Sequence, residues 1–112
     1  MTYKTKTDRP ATQEELERDT RLLAKLTEQL PAQTFIARLS ESDIQDNIPF
    51  YLEEIEAAAQ KAKTVYVSEV AKQAITTLRN AAGAGDIRQG VNNAFMSLNK
   101  SWTELRRKNN KG

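Results

Sequence analysis

The sequence predicts an all-α fold, a small bundle of three main helices at about residues 12–30, 49–82 and 86–108, with short helical turns between the first two. Apolar residues recur at steps of three and four along each of these segments, which is the spacing of one helix face. The chain has only four glycines and three prolines in 112 residues, with 38% apolar and 29% charged residues. This composition is typical of a helix-rich globular protein.

One domain is expected, because a chain of this length forms a single core. Residues 12–108 are predicted to be that domain, between a mobile basic tail at 1–11 and a flexible C-terminal tail at 109–112. The first residues carry charges and hydroxyls without an apolar run, and no window approaches the roughly 18 apolar residues of a membrane span. A cytoplasmic location without membrane contact is therefore expected.

The first helix has clear start and stop signals. Thr12 and Glu15 form a T-x-x-E capping box, and Pro31 ends the helix, because the residue before a proline resists the α conformation. Five leucines share one face between these signals: Leu16, Leu22, Leu23, Leu26 and Leu30.

The chain after the first helix is predicted to form short helical pieces. Phe35, Ile36 and Leu39 cluster as they would in one or two helical turns, and Ser42 is a candidate cap for another. Pro49 is placed in the first turn of the next helix, where its missing N–H costs nothing.

A long apolar stripe predicts the second main helix, over residues 49–82. From Ile48 to Ala81 the apolar or small residues follow steps of four and three, and later mostly of four. Apolar residues repeated in this way do not stay on one side of a straight helix. The segment is therefore expected to bend, to break, or to wind around its neighbour with the opposite hand, and to form either one helix or two. TVYVSEV at 64–70 is rich in β-branched residues, but a lone strand would have no partner, so helix is predicted there too.

An alanine-rich section in this segment would let another helix approach closely. That helix could belong to the same chain or to a second copy, so homo-oligomerisation is one prediction of the sequence. The small residues are Ala57, Ala58, Ala59 and Ala62.

The last helix has the most regular stripe, with steps of three or four over five turns: Ile87, Val91, Ala94, Phe95, Leu98, Trp102 and Leu105. The stretch AAGAGDIRQG before it is predicted to be a turn. Gly83 would end one helix, and Asp86 with Gln89 would cap the next. A phosphate-binding loop is excluded, because no buried strand precedes the glycines and Asp86 would occupy the place of the anion.

Charge divides the chain into an acidic and a basic half. Residues 1–56 hold 7 Lys/Arg against 12 Asp/Glu, whereas residues 57–112 hold 10 against 3. The halves could attract each other within one molecule or between two, or the basic half could meet an anionic partner.

The last helix carries the residues of a candidate nucleic-acid or anionic-partner surface. Arg, Asn and Gln are the side chains that read base edges, although a solvated helix face would look the same. A helix-turn-helix is disfavoured, because the preceding helix is predicted to be far longer than two turns. The surface comprises Arg88, Gln89, Asn92, Asn93, Asn99, Lys100, Arg106, Arg107 and Lys108.

The absence of cysteine and histidine excludes structural zinc sites, thiol nucleophiles and His-dependent triads. Ser97 and Lys100 match S-x-x-K, but the S-D-N and K-T-G elements that accompany this motif in penicillin-binding enzymes do not occur. Pairs of acidic residues three positions apart on a helix are ordinarily exposed to solvent, so they do not indicate a catalytic site. The protein is therefore expected not to be an enzyme and to need no catalytic residue, metal, cofactor or small-molecule substrate.

A second candidate surface lies in the acidic region, where Phe50, Tyr51, Glu53 and Glu54 form a possible protein-contact patch; the alternative is that Phe50 belongs to the core and Tyr51 is half exposed. The function expected is a regulatory or adaptor module that presents a helical surface to another protein. The alternative is a nucleic-acid-binding accessory protein that uses the last helix and the C-terminal tail.

Overall fold

The computed structural model describes residues 3–82 and 85–109, and this part of the chain is a helical bundle without strands. The predicted all-α class is confirmed, but the bundle has four long helices and one short helix instead of three long ones. The helices are α1 (Gln13–Gln29), α2 (Gln33–Arg38), α3 (Glu41–Lys61), α4 (Val65–Ala82) and α5 (Ile87–Asn109).

The predicted capping box starts α1. The Thr12 hydroxyl accepts a hydrogen bond from the Glu15 N–H (3.1 Å), and the Glu15 carboxylate accepts one from the Thr12 N–H (2.9 Å). The two terminal guanidinium nitrogens of Arg9, Nη1 and Nη2, also donate to the Glu15 carboxylate, at 2.9 and 2.7 Å. The helix ends at extended Leu30, before Pro31, as predicted.

α3 begins eight residues earlier than predicted, and Pro49 lies inside it instead of in its first turn. The cap is Ser40, whose hydroxyl accepts from the Asp43 N–H (3.1 Å). An internal proline costs about 3 kcal/mol, but the extra turns bury Ile44 and Ile48, at about 1.5–3 kcal/mol each. Both side chains are at most 3% exposed, so their burial outweighs the proline.

The predicted helix at 49–82 is two helices. α3 ends at Lys61, residues 62–64 are not helical, and α4 begins at Val65. The break falls just before the β-branched residues, which form the first turns of α4. The four-residue spacing of the apolar residues predicted a bend, a break or a change in the direction of winding, and the structure shows a break.

A buried carboxylate fixes this break. Asp19 of α1 is 1% exposed, and its Oδ1 accepts a hydrogen bond from the N–H of Lys63 (2.8 Å). Its Oδ2 accepts from the N–H (2.8 Å) and from the hydroxyl (2.6 Å) of Thr64. The Thr64 hydroxyl oxygen also accepts from the N–H of Val67, in the first turn of α4 (3.2 Å). α1 therefore determines where α3 ends and α4 begins.

The N-terminal segment, predicted as a mobile tail, makes defined contacts in its described part. Thr5 is buried and pairs with Thr64 in an isolated antiparallel bridge. The Lys4 carbonyl accepts from the Val65 N–H (2.8 Å), and the Tyr3 ring packs on Tyr66, with 5.2 Å between ring centres. These residues cover the α3–α4 junction.

The long helices surround one core. α4 packs on α3 and α5, α1 packs mainly on α5 and also on α3, and α3 and α5 make few direct contacts. α4 and α5 approach each other closely at Gly90, where an added Cβ would lie 2.4 Å from the Ala81 Cβ. Gly90 is thus required by helix packing. The predicted Gly83 turn lies outside the described residues.

The hydrogen bonds at the start of α5 differ from the predicted cap formed by Asp86 and Gln89. The Asp86 backbone carbonyl accepts from the Gly90 N–H (3.3 Å), whereas the Gln89 amide donates to Asn93 Oδ1 (3.0 Å). No side-chain hydrogen bond joins Asp86 to Gln89 in the part of the chain that the structure describes.

Candidate interaction surfaces

An exposed phenylalanine lies among carboxylates on the outer surface of α3. This helix carries six acidic residues and one basic residue. Phe50 is 51% exposed, and Asp46, Glu53 and Glu54 lie one turn away, at the i−4, i+3 and i+4 positions. We refer to these four residues as the acidic face. Within residues 3–82 and 85–109, none of the three carboxylates forms an ion pair.

Tyr51, the fourth member of the predicted patch, is in the core. It is 4% exposed, and its ring meets Phe95 edge-on, with 5.3 Å between ring centres. Burial raises the pKa of its hydroxyl. Tyr51 shares the buried side of α3 with Ile48 and Ile55, so it does not belong to an exposed patch. The alternative interpretation, with Phe50 in the core and Tyr51 half exposed, is also wrong, because Tyr51 is buried and Phe50 is exposed.

α5 is basic, with five Lys/Arg and one Glu. Two of the nine predicted surface residues, Arg88 and Asn92, are half-buried. The Arg88 guanidinium donates hydrogen bonds to the backbone carbonyls of Ile36 and Leu39, at the C-terminal end of α2. Arg88 therefore stabilises a helix end instead of projecting toward a partner.

The remaining seven residues are exposed, and the cations among them differ in their surroundings. The Arg106 guanidinium lies 4.6 Å from the centre of the Trp102 ring, and the Lys108 ammonium lies 5.1 Å from that of Tyr3. Lys100 and Arg107 form no ion pair with any described residue. We refer to Lys100, Arg106, Arg107 and Lys108 as the basic face. The other exposed members are Gln89, Asn93 and Asn99.

The two faces lie on different helices of the bundle. α3 packs mainly on α4 and makes fewer contacts with α1 and α5. Among described residues, Glu56–Arg79 (2.9 Å) is the one ion pair that joins two helices. The acidic and basic charges that are separate in the sequence are therefore also separate on the surface, and few of them pair with each other within the described part of the chain.

Within residues 3–82 and 85–109, no group of three or more acidic side chains is arranged to hold a metal ion. No helix there has the length and apolar character needed to cross a membrane.

Comparison with known proteins gave no relative. No family model, no curated protein and no solved structure matches the chain. The functional argument therefore depends on the geometry of the surfaces described above.

Proposed function

We propose that the protein is a non-catalytic helical interaction module, a small regulatory or adaptor protein that binds another protein through the acidic face of α3. The observation that carries the proposal is the half-exposed Phe50 ring among three carboxylates that form no ion pair with any described residue. Aromatic residues are frequent anchors of protein interfaces, and surrounding charges steer and orient the partner. The proposal keeps the cytoplasmic location expected from the sequence.

The chemistry of the acidic face defines its partner. The ring would enter an apolar recess, and the carboxylates would meet lysine or arginine residues around that recess. Because exposed charges act mainly on the rate of association, raised salt should slow binding more than it speeds dissociation.

Capture by the immobilised protein tests the proposal. Phe50→Ser should abolish capture of the partner, because it removes the anchor from a position that the core does not use. Val65→Ser is the matched control, since Val65 is also exposed (41%) and lies at the start of α4. Equal capture by the wild-type chain and Phe50→Ser would contradict the proposal.

A second copy of the chain is an alternative occupant, because the basic face of α5 complements the acidic face. Since the two faces are different surfaces of the chain, contact between them would be heterologous, that is, head to tail. Light scattering at several protein concentrations tests this arrangement: mass that grows with concentration and falls with salt would identify the second copy.

Nucleic-acid binding is the second candidate function, favoured by the exposed Lys100 and Arg107, which form no ion pair with any described residue. Fluorescence anisotropy with a duplex and a single strand should then show affinity that falls steeply with salt. Arg107→Gln should weaken this binding, whereas Lys72→Gln on α4 should not. Absence of binding at low salt would refute this function.

A further inference from the structure

A groove with a volume of about 560 Å³ lies between the N-terminal segment and the C-terminal end of α3. Residues 5–7 and Arg9 line it from the N-terminal segment, and residues 60–63 line it from the α3–α4 junction. A hydrogen bond from the Lys6 N–H to the Lys63 carbonyl (3.3 Å) joins these two parts of the chain. We refer to this feature as the basic groove, because Lys6, Arg9, Lys61 and Lys63 are among the residues that line it.

The one carboxylate of the basic groove already has a partner. Glu15 is the one acidic residue among the described residues that line the groove. Arg9 Nη1 and Nη2 donate to it at 2.9 and 2.7 Å, and the Thr12 N–H also donates to it. Glu15 therefore does not offset the other cations of the groove. These are Lys6, Lys61 and Lys63, which are exposed and form no ion pair with any described residue.

Lys6 offsets the partial negative charge at the end of α3. Its Nζ donates to the backbone carbonyls of Ala59 and Gln60, at 2.9 and 3.2 Å. The last carbonyls of a helix would otherwise repel an anion, and here two of them are bound by a cation. Because an ammonium group has three N–H donors, Lys6 keeps one donor for a ligand.

Hydrogen bonds hold the N-terminal part of the groove in place. The Thr5 N–H donates to the Arg9 carbonyl (2.7 Å), and the Asp8 N–H donates to the Thr5 carbonyl (3.0 Å). The side chain of Thr5 is buried, and its hydroxyl forms a hydrogen bond with the hydroxyl of exposed Thr7 (3.0 Å). The groove is therefore formed before a ligand arrives, which lowers the cost of ordering it on binding.

A diphosphate group matches the charge of the basic groove. A phosphate monoester carries about −1.5 to −2 at pH 7, which is less than the charge of three lysines. A second phosphate adds negative charge and further acceptor oxygens, which lysine ammonium groups bind as point charges. The cations line one short groove, whereas proteins that bind a nucleic-acid strand place cations along its backbone.

We propose that the basic groove binds the diphosphate group of a small molecule, with Lys61 and Lys63 as its principal cations and Lys6 as a further donor. This site is independent of the acidic face of α3 and of the basic face of α5, because it shares no residue with either.

Titration of the isotope-labelled full chain with inorganic pyrophosphate, followed by NMR at constant ionic strength, tests the site. Saturable binding with a Kd of about 1 mM or lower is expected, with shifts confined to residues 5–9, 15 and 60–63. Inorganic phosphate should bind about tenfold more weakly, because it lacks one charge-assisted contact. Sulfate should bind no better than phosphate.

Variants decide whether the named lysines hold the ligand. Lys61→Gln and Lys63→Gln should each raise the Kd about three- to tenfold, the effect of one charge-assisted contact at an exposed position. Gln60→Lys adds a cation to the groove and should lower the Kd, a gain that loss of folding could not produce. Lys100→Gln on α5 and Gln73→Lys on α4 are matched controls at exposed positions outside the groove, and both should leave the Kd unchanged.

Four results would overturn the proposal. The first is the absence of saturable pyrophosphate binding, and the second is equal affinity for pyrophosphate and sulfate, which would indicate an adventitious ion only. The third is an unchanged Kd in both Lys61→Gln and Lys63→Gln. The fourth is a short single-stranded oligonucleotide that displaces pyrophosphate and shifts the same residues, because the groove would then belong to a nucleic-acid surface.

Discussion

Replacing Asp19 by alanine is expected to destabilise the bundle by about 3–5 kcal/mol. The carboxylate accepts three hydrogen bonds at 2.6–2.8 Å, and a bond to a charged group contributes roughly 1.5–3 kcal/mol. Lys63 is exposed, so its N–H can bind water in the variant. Thr64 is fully buried, so the loss of its two bonds dominates the cost.

Urea unfolding, followed by circular dichroism and by the fluorescence of the single tryptophan, measures this change. A chain of this size has a total stability of roughly 5–15 kcal/mol, so Asp19→Ala should remove a large part of it. Asp19→Asn retains one acceptor oxygen and should fall between Asp19→Ala and the wild type. Glu17→Ala, an exposed change on the same helix, should stay within about 0.5 kcal/mol of the wild type.

A double-mutant cycle isolates the junction itself. Thr64→Val removes the hydroxyl that binds both Asp19 and the Val67 N–H, and should cost about 1–2 kcal/mol. Because Asp19 and Thr64 share one hydrogen bond, the double variant should lose less than the two single variants together. A loss under about 1 kcal/mol for Asp19→Ala, or strict additivity, would refute the view that α1 fixes the α3–α4 break.

Three other changes test the fold. Gly90→Ala should lower the melting temperature although alanine has the better helix propensity, because overpacking against Ala81 costs about 1–3 kcal/mol. Adding Ala81→Gly to the same chain should restore the melting temperature. An unchanged melting temperature in Gly90→Ala would contradict the close approach of α4 and α5 at this position. Arg88→Gln should cost about 1–3 kcal/mol in urea unfolding, since the α2 carbonyls lose a charged donor, whereas exposed Arg107→Gln should change little; equal effects would contradict the assigned role of Arg88. The hydrogen bond from the Arg9 side chain, followed by that from the Thr12 backbone, lowers the pKa of Glu15 from 4.5 to about 2. The folded state therefore favours ionised Glu15, so the stability that this carboxylate contributes is complete above pH 4.5 and is lost as the pH falls toward 2. Glu15→Gln should flatten the dependence of unfolding free energy on pH between these two values. An unaltered dependence would contradict the role assigned to Glu15.

The elements that the sequence predicts well are those with local causes. α1 starts and ends as expected, because the capping box and Pro31 lie within the segment that they control. The α5 stripe is also confirmed, with Trp102 half-buried at its side. The start of α3 was predicted wrongly from Pro49, which lies inside the helix and not in its first turn. The burial of isoleucines in the preceding turns outweighs the cost of an internal proline, so the helix begins earlier.

The break between α3 and α4 could not be placed from local pattern, because its cause is a side chain more than 40 residues away in the chain. Yet Asp19 leaves a sign in the sequence. It lies in register with Leu16, Leu23 and Leu26 on the apolar side of α1, at steps of three and four. A carboxylate in an apolar stripe needs buried donors, and this position could have been singled out.

The candidate surfaces were predicted in part. The segregation of charge between α3 and α5 follows from the order of residues, but which side chains reach solvent does not. Periodicity did not separate Phe50 from Tyr51, since both adjoin the apolar stripe of α3. It also could not show that Arg88 binds the end of α2, because that contact joins helices distant in sequence.

Photo-crosslinking in the cells that make the protein tests the central claim most directly, that the acidic face of α3 is the recognition surface. A photoreactive phenylalanine analogue would replace Phe50, or the exposed Met96 of α5, or Val65 of α4, one position at a time. We predict a protein adduct of defined mass from position 50, absent from position 65, that disappears when Glu53 and Glu54 are changed to lysine. Adducts at position 96 without any at position 50 would contradict the account.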